Sequence, residues 1–407
     1  MSGLGWGVEP LWEGLRAGRS AIGPFDRFDH RLHRTHVAAE AGEAPEDLAR
    51  IPGWDRLSVA DRFAVAAAVE AVRQAGLTLP FDERLAGEVG VFFGSSTGGM
   101  WEAEGFFGSF LNARRRARLR RLASHQVNAP GDALARHLGV TGPVSTVSSA
   151  CASGALALGA ALDAVRSGTV EVALAGGSDS LCQLTYAGFN ALRSVDESPC
   201  RPFRAGRAGL SIGEGAAVLV LEPLQRALDR GAAPLALLAG AGASCDAHHM
   251  TAPDPSGAGA AAALEAALRD AGLDPAEIDF VNAHGTGTPL NDAAEWNALQ
   301  RVFGARAAEL PVTATKALLG HLLGSAGAIE AVATVLCLRH GELHPVPSGE
   351  PPVSGETAET DPVPVALVLD RPLPLPSARA AVSTSLAFGG SNAALVFSRW
   401  IASNGAA

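Results

Sequence analysis

Short apolar runs alternate with segments of helical periodicity along most of the chain, and this alternation restricts the fold more than any other feature. Apolar runs bounded by turn signals predict buried strands, whereas a 3.6-residue spacing of apolar side chains predicts helices packed on them. Such an alternation predicts an α/β fold. The predicted helices cover residues 58–74, 132–138, 154–167, 258–271 and 326–339, and the predicted strands cover 88–93, 170–175, 216–221, 280–282, 312–315 and 393–397.

The chain divides into two halves of similar organisation. The first half closes with the strand at 216–221, and the second begins with an apolar run at 235–237. Each half contains units of strand, glycine-rich turn and helix, which indicates a structural duplication although the halves share little sequence identity. We therefore predict two duplicated α/β halves, at residues 1–232 and 233–407. The Pro- and Gly-rich segment at 349–361 is predicted to be a surface loop.

Composition and charge argue against several classes of function. The 407 residues are 47% hydrophobic and carry a formal net charge of −10. This charge disfavours nucleic acid as a partner, because phosphate binding needs a positive field. The five scattered cysteines lack paired CxxC spacing and fit a reducing cytoplasm better than a disulfide scaffold or a zinc site. With no membrane-spanning run and no signal-peptide pattern, we predict a soluble cytoplasmic protein without a bound metal.

One basic cluster interrupts this acidic background. Six arginines lie close together in the sequence, and they would attract an acidic partner if they share a surface. A solvated, arginine-rich helix or loop explains the same pattern equally well. The cluster comprises Arg114, Arg115, Arg116, Arg118, Arg120 and Arg121.

The first candidate catalytic residue is Cys151, within the small-residue segment 147–154 that precedes an Ala- and Leu-rich helix. A cysteine at a strand-to-helix junction lies near unpaired backbone N–H groups and the positive end of the helix dipole. Both favour the thiolate, which is the nucleophilic form. A lone buried cysteine is more often structural, so this segment alone does not establish catalysis.

Two histidines follow in the second half. His284 ends a short apolar strand and begins a Gly/Thr loop within 280–292, at the strand end where α/β sites gather. His321 lies in an apolar, glycine-punctuated turn within 313–330, where burial favours the neutral imidazole and its N–H could stabilise an oxyanion. Lys316 and Glu330 could orient His321, or they could form an ion pair that only holds the turn.

A fourth segment, 383–392, places a Gly-Gly turn after a strand. Such a turn can present backbone N–H donors to an oxyanion, but by itself it is an ordinary hairpin signal. Each of the four segments is weak evidence when taken alone.

Together the four segments resemble the elongating β-ketoacyl-[acyl-carrier-protein] synthases, which have the thiolase fold. The resemblance covers nearly the whole chain and includes residues 11–28, 176–179, 200–203, 213–216 and 246–253. The Cys-His-His set separates the chain from priming synthases of the family, which use Cys-His-Asn, and from degradative thiolases, which use a second cysteine. The resemblance implies a thiolase-like fold with two duplicated halves in a layered αβαβα arrangement.

The resemblance also implies a mechanism. Cys151 accepts an acyl group from the phosphopantetheine arm of an acyl carrier protein, and His284 and His321 hold the thioester carbonyl of a malonyl-type unit. Decarboxylation leaves an enolate that attacks the acyl group in a Claisen condensation, giving a 3-oxoacyl thioester. The backbone N–H groups of Cys151 and Phe388 form the oxyanion hole, and Lys316 and Glu330 support the site.

Further expectations concern binding and assembly. Thr286, Thr288, Phe388 and Gly389 contact the pantetheine or the substrate, Phe388 as a gating aromatic. Arg115, Arg116 and Arg201 receive the acidic carrier protein. The resemblance implies no bound cofactor and a homodimer, with a heterodimer of related subunits as the alternative.

The chain departs from the family pattern at specific places, and rival functions stay open. Met1 falls almost at the first conserved turn, so either the start lies upstream or the first sheet lacks a strand. Ala387 and Arg204 replace a glycine and an aspartate that are usual in the family. The rivals are a non-catalytic partner subunit of a ketosynthase heterodimer, and an acyltransferase or decarboxylase of the same fold. Acyl length, donor unit and pathway are not specified by these motifs.

Overall fold

The computed structural model describes residues 1–112, 118–349 and 361–401. Two sheets and the helices around them account for most of this part of the chain. The helices are α1 (Val8–Arg16), α2 (Glu46–Ala49), α3 (Val59–Gln74), α4 (Glu83–Glu88), α5 (Met100–Leu111), α6 (Ala129–Leu138), α7 (Ser153–Arg166), α8 (Gln183–Ala191), α9 (Leu224–Asp229), α10 (Ala258–Ala271), α11 (Pro289–Phe303), α12 (Lys316–Leu319) and α13 (Ala326–His340).

The strands lie between these helices in the alternation that the sequence predicts. They are β1 (Gly23–Pro24), β2 (Val37–Ala38), β3 (Val89–Gly94), β4 (Val144–Val147), β5 (Val172–Asp179), β6 (Gly215–Leu221), β7 (Ala236–Cys245), β8 (Phe280–Asn282), β9 (Pro311–Thr313), β10 (Glu342–Leu343), β11 (Ala366–Leu367), β12 (Leu373–Pro374), β13 (Ala380–Leu386) and β14 (Ser391–Arg399).

The two large sheets share one topological pattern. In the first sheet, with order β4-β3-β5-β6, strand β3 pairs in parallel with β4 and β5, and β6 runs antiparallel to β5. In the second, with order β11-β9-β8-β13-β14-β7, strand β8 pairs in parallel with β9 and β13, and β14 runs antiparallel to β13. Met1 pairs with Ala216 of β6, in the position beside β6 that β7 takes beside β14.

Helices and sheets stack in five layers. Helices α7 and α13 contact strands of both sheets and form the middle layer, whereas α3 and α6 cover the first sheet and α10 and α11 lie outside the second. The middle helices are rich in alanine and glycine, and α13 is buried on nearly all sides, so they pack closely between the sheets. The layered αβαβα arrangement agrees with the sequence expectation.

Local sequence signals fix several helix ends. Ser58 caps α3 in a capping box with Asp61, and glycines with positive φ follow α10 and α13. The helices predicted at 58–74, 154–167, 258–271 and 326–339 are α3, α7, α10 and α13, within one residue at each end. Most of the surface loop predicted at 349–361 lies outside the described residues. Of the described helices, none is both long enough and apolar enough to cross a bilayer.

Candidate active site

Cys151 lies in the turn between β4 and α7, as the sequence predicts. Ala150 has a φ of 44°, in the left-handed region that residues with a Cβ rarely adopt. The hydroxyl of Ser153 closes the turn, since it donates to the Ala150 carbonyl at 2.6 Å and accepts from the Ser149 N–H at 2.8 Å. The turn therefore holds the Cys151 thiol in a fixed, buried position.

His284 follows β8, and its backbone is held by a carboxylate from α11. The N–H of His284 donates to Glu295 Oε1 at 2.7 Å, and the N–H of Gly285 donates to Glu295 Oε2 at 2.9 Å. Thr384 of β13 donates to the same carboxylate and accepts from the His284 N–H. Glu295 thus fixes the chain direction just where the imidazole leaves the sheet.

Lys316 orients the ring of His284. Its Nζ lies 2.9 Å from His284 Nδ1 and 2.6 Å from the His284 carbonyl oxygen, and it forms an ion pair with Glu330 of α13. An ammonium group has only donors, so Nδ1 of His284 must accept and the ring proton must lie on Nε2. The sequence expectation that Lys316 and Glu330 orient His321 is corrected: the imidazole that Lys316 contacts is His284.

A backbone donor orients His321 instead. The N–H of Leu323 donates to His321 Nδ1 at 3.0 Å, which again leaves the ring proton on Nε2. Leu323 has a φ of 53°, and this strained conformation directs its N–H back to the ring. His321 Nε2 has no hydrogen-bond partner among the residues that the structure describes. An unpartnered buried donor suits a ligand atom that arrives with the substrate.

The three side chains converge from separate loops. One ligand-type atom from each of Cys151, His284 and His321 lies within 4.8 Å of the other two, and all three residues are buried. The two imidazole rings stand edge to face, with centroids 5.4 Å apart and planes at 85°. The site therefore combines one thiol with two imidazoles that are each fixed as Nε2–H donors.

Burial governs the protonation of the thiol. It raises the pKa of Cys151 to about 11, although the charge of Lys316 and the backbone N–H of Phe388 both lower it. Burial therefore opposes the preference for thiolate that the sequence suggests, and desolvation is the largest influence on this thiol. The N–H of Phe388 nevertheless points at the sulfur, as an oxyanion donor would.

Burial acts on the imidazoles in the opposite direction. It lowers the pKa of His284 well below its usual value, and the nearby charge of Lys316 lowers it further. The same two causes lower the pKa of His321. Both rings are therefore neutral near pH 7, as predicted for His321. Burial raises the pKa of Glu330 to about 7, against the stabilising charge of Lys316.

The same three residues could be considered a metal site, since thiolate and imidazole are ligands for Zn²⁺. Wide separation in the sequence does not exclude a metal here, because the fold brings the three residues together. The hydrogen bonds of the two histidines disfavour one. A metal needs the lone pair of Nε2 and a proton on Nδ1, but both Nδ1 atoms face donors, from Lys316 and Leu323. The donor set suits an oxyanion better than a cation.

The residues expected to contact the substrate arm lie in two loops, after β8 and after β13. The hydroxyls of Thr286 and Thr288 are 2.9 Å apart; Thr286 is buried and Thr288 half-buried. Phe388 is half-buried and lies against Phe189 of α8, with ring centroids 5.7 Å apart. Gly389 is exposed, but its N–H already donates to the Met250 carbonyl at 2.8 Å.

Of the three arginines expected to receive a carrier protein, only Arg201 can be described. It is buried, and its guanidinium pairs with Asp196 at 3.3 Å and donates to the Gly206 carbonyl at 2.8 Å. The expectation for Arg201 is corrected, because this side chain does not form an exposed docking surface. Arg115 and Arg116 lie outside the described residues.

Two carboxylates that the sequence patterns do not single out, Glu295 and Asp292, hold the loop of His284. Asp292 accepts from the N–H groups of Phe203 and Gly287 and pairs with Arg207. Their signal was present, because two acidic residues in the first turns of a helix, directly after a Gly/Thr loop, are well placed to bind backbone N–H groups of that loop.

Comparison with protein families and known proteins agrees with this geometry. Residues 2–227 match the model of the beta-ketoacyl synthase N-terminal domain, and residues 235–350 match that of the beta-ketoacyl synthase C-terminal domain. The chain is 38% identical over 404 residues to Nodulation protein E of a Rhizobium species, covering 98% of this chain and 96% of that protein. It is 35% identical over 413 residues to 3-oxoacyl-[acyl-carrier-protein] synthase 2 of a Synechocystis species, covering 98% and 95%.

Solved structures share the fold. The ishigamide ketosynthase/chain length factor superposes with a TM-score of 0.89 at 35% identity, covering 98% of this chain and 97% of the other. A chain from the structure of a type II polyketide acyl-carrier protein in complex with its ketosynthase superposes with a TM-score of 0.84 at 26% identity, covering 98% of this chain and 97% of that one. The thiolase-like fold expected from the sequence is confirmed.

Proposed function

The chain belongs to the beta-ketoacyl synthase family, and from this premise we propose how its residues divide the work of condensation. The reaction is the decarboxylative joining of an acyl group to a malonyl-type unit, both delivered as carrier-protein thioesters, to give a 3-oxoacyl thioester. One observation supports the assignment most strongly: a thiol and two neutral Nε2–H imidazoles from three loops converge within 4.8 Å.

Cys151 is the nucleophile that accepts the acyl group. Its sulfur attacks the thioester carbonyl, and the thiol proton leaves with the pantetheine sulfur. The backbone N–H groups of Cys151 and Phe388 donate to the tetrahedral oxyanion, and both also lower the pKa of the Cys151 thiol. A covalent acyl-enzyme divides a two-substrate reaction into two easier steps.

His284 and His321 act in the second step. Their Nε2–H groups donate to the thioester carbonyl oxygen of the malonyl unit, where charge develops as CO₂ leaves. The resulting enolate carbon attacks the acyl carbonyl on Cys151, and the tetrahedral intermediate expels the thiolate. Fixed donors need no reorganisation when the charge appears, so they stabilise the transition state efficiently. A neutral imidazole has the further advantage that it does not give its proton to the enolate readily.

Lys316 and Glu330 are positioning residues in this scheme. Lys316 holds the His284 tautomer, and Glu330 balances the charge of Lys316 in the protein interior. Thr286 and Thr288 offer hydroxyls to the amides of the pantetheine arm. Phe388 and Gly389 flank the entrance, where Phe388 moves aside as the acyl group enters.

The acidic carrier protein docks by charge. Arg118, Arg120 and Arg121 are exposed members of the basic cluster and are described by the structure. With Arg201 buried, these three residues form the proposed docking surface; Arg115 and Arg116 stay a prediction from the sequence. Such a surface makes the association rate sensitive to salt.

We propose that the protein is a dimer, with a homodimer favoured over a heterodimer with a related subunit. Strand β4 forms an edge of the first sheet, and Val144 and Ser145 on it are exposed. An exposed edge strand is a template for pairing with another chain, and a twofold axis beside β4 would join two sheets into one. The division into halves at 1–232 and 233–407 and the cytoplasmic location stay predictions.

Intact-mass measurement after incubation with acyl-carrier proteins of graded chain length tests the proposal. We expect one acyl adduct on wild-type protein, mapped to Cys151, and no adduct on Cys151→Ala. Adding malonyl-carrier protein should then remove the adduct and release a 3-oxoacyl product. No adduct with any chain length would favour the non-catalytic partner subunit, and an adduct that never condenses would favour an acyltransferase.

A further inference from the structure

A buried carboxylate that the mechanism does not use joins the two halves of the active site. Asp179 ends β5 and has no exposed surface. Its oxygens accept from the hydroxyls of Ser95 and Thr97 at 2.8 Å, and from the backbone N–H groups of Ser96 at 3.0 Å, Thr97 at 2.8 Å and Gly324 at 2.7 Å. Ser95 to Thr97 lie in the loop after β3, whereas Gly324 belongs to the loop of His321.

One side of Asp179 holds the His321 loop. The N–H of Gly324 donates to Asp179 Oδ2. Gly324 directly follows Leu323, and the N–H of Leu323 donates to His321 Nδ1. The approach is close: a Cβ at Gly324 would lie 2.7 Å from both Asp179 Oδ2 and the Ser96 nitrogen. Leu323 keeps a positive φ only if the surrounding contacts impose it, and the Gly324–Asp179 bond is such a contact.

The other side of Asp179 holds the nucleophile turn. The Ser96 backbone is fixed on Asp179, and the Ser96 hydroxyl donates to the Ala150 carbonyl at 3.1 Å. Ala150 is the residue with a φ of 44° directly before Cys151. The carboxylate therefore lies between two strained backbone positions, one beside the thiol and one beside an imidazole.

We propose that Asp179 is a positioning residue that sets the His321 tautomer and the distance between His321 and Cys151. This inference rests on the proposed function, in which His321 donates from Nε2. It adds a residue that touches neither substrate nor reacting atoms. Its effect passes through Gly324 and Leu323 to the imidazole, and through Ser96 and Ala150 to the thiol.

The variant Asp179→Asn keeps the shape and volume of the side chain and changes only its hydrogen bonding. Oδ2 has fewer donors around it than Oδ1, so the amide NH₂ takes the Oδ2 position and faces the Gly324 N–H, donor against donor. Gly324 must then move, and the Leu323 N–H moves with it. His321 Nδ1 becomes free to bind a proton, so the ring can switch tautomer or become charged.

The experiment compares two half-reactions in each variant. Decarboxylation of malonyl-carrier protein reports the histidine side, and alkylation of Cys151 by iodoacetamide, mapped by peptide mass, reports the thiol side. For Asp179→Asn we expect decarboxylation to fall about 100-fold, with a new acid limb between pH 6 and 8 that wild type lacks, because one oxyanion donor is lost. Ser96→Ala should slow only the alkylation of Cys151, by about tenfold.

Controls make the outcomes distinct. Asp61→Asn alters another buried carboxylate, in the capping box of α3, and should leave the ratio of the two half-reactions unchanged. Gly324→Ala should give the same new acid limb in decarboxylation, and it should also slow alkylation of Cys151, because its Cβ would press on both Asp179 Oδ2 and the Ser96 nitrogen. It replaces Asp179→Asn if that variant does not fold. Wild-type protein without decarboxylation refutes the proposed function itself. If wild type is active, the role of Asp179 is overturned by either of two results. One is wild-type decarboxylation in Asp179→Asn, and the other is an equal loss of both half-reactions with an unchanged pH profile.

Discussion

Replacing Lys316 by methionine removes the donor that holds His284 as an Nε2–H imidazole, while it keeps an unbranched side chain of similar length. The Nζ atom donates to His284 Nδ1 at 2.9 Å and to its carbonyl oxygen at 2.6 Å, and both bonds are lost. The ring proton can then move to Nδ1, and Nε2 can no longer donate to the thioester oxygen. Loss of one oxyanion donor costs about 3 kcal/mol, or roughly 100-fold in rate.

The same substitution also affects stability, so the two effects must be separated. Removing one partner of a buried ion pair costs about 3–5 kcal/mol. Here the pKa of Glu330 is already about 7, so Glu330 takes up a proton and we expect the lower end of that range. The double variant Lys316→Met/Glu330→Leu should recover most of the stability, because apolar residues often replace a buried ion pair without loss.

The assay is malonyl-carrier decarboxylation beside urea unfolding, for wild type, the single variant and the double variant. We expect both variants to decarboxylate about 100-fold more slowly than wild type, although only the single variant is destabilised. A wild-type rate in Lys316→Met, or recovery of the rate together with the stability in the double variant, would refute the tautomer argument. The second result would mean that Lys316 acts only on folding.

Three further predictions follow from burial and charge. Burial lowers the pKa of His344 to about 4, below that of the unfolded chain, so stability is lost as pH falls from about 6.5 towards 4. Urea unfolding at pH 7 and 5 should show His344→Gln losing about 2 kcal/mol less than wild type, and an equal loss would contradict it. Arg201→Ala should lower the free energy of unfolding, because Asp196 loses its ion-pair partner, and it should leave the KM for carrier protein unchanged. A raised KM would instead show that Arg201 takes part in docking. Arg121→Ala should raise that KM several-fold at low salt and little at high salt, and a salt-independent change would argue against a charged docking surface.

The positions of the catalytic residues could be predicted from the sequence because they sit at element boundaries. A strand, a run of small residues and a helix define the turn of Cys151, and an apolar strand followed by a Gly/Thr loop defines that of His284. The bounds of helices such as α10 can be predicted, because a glycine lies on each side of its alanine-rich periodic segment. These are local signals, which the chain carries without tertiary contacts.

The partners of those residues could not be predicted in the same way. Lys316 is five residues from His321 in the sequence, but the fold turns it towards His284, on another loop. Arg201 carries a charge that suggests the surface, yet Asp196 binds it in the interior. The pKa of Cys151 depends mainly on its burial, and that desolvation outweighs the charge of Lys316 and the backbone N–H of Phe388, both on segments distant in sequence. Pairing across loops is a tertiary property.

The ring protonation of the two histidines is the most direct measurement of the proposed mechanism. ¹⁵N NMR of histidine-labelled protein, assigned with His284→Ala and His321→Ala, reports which ring nitrogen carries the proton. We expect both rings to be neutral with the proton on Nε2 from pH 6 to 8.5, because Lys316 and Leu323 occupy both Nδ1 atoms. A proton on Nδ1 of either ring, or an imidazolium within that range, would contradict paired oxyanion donors opposite Cys151.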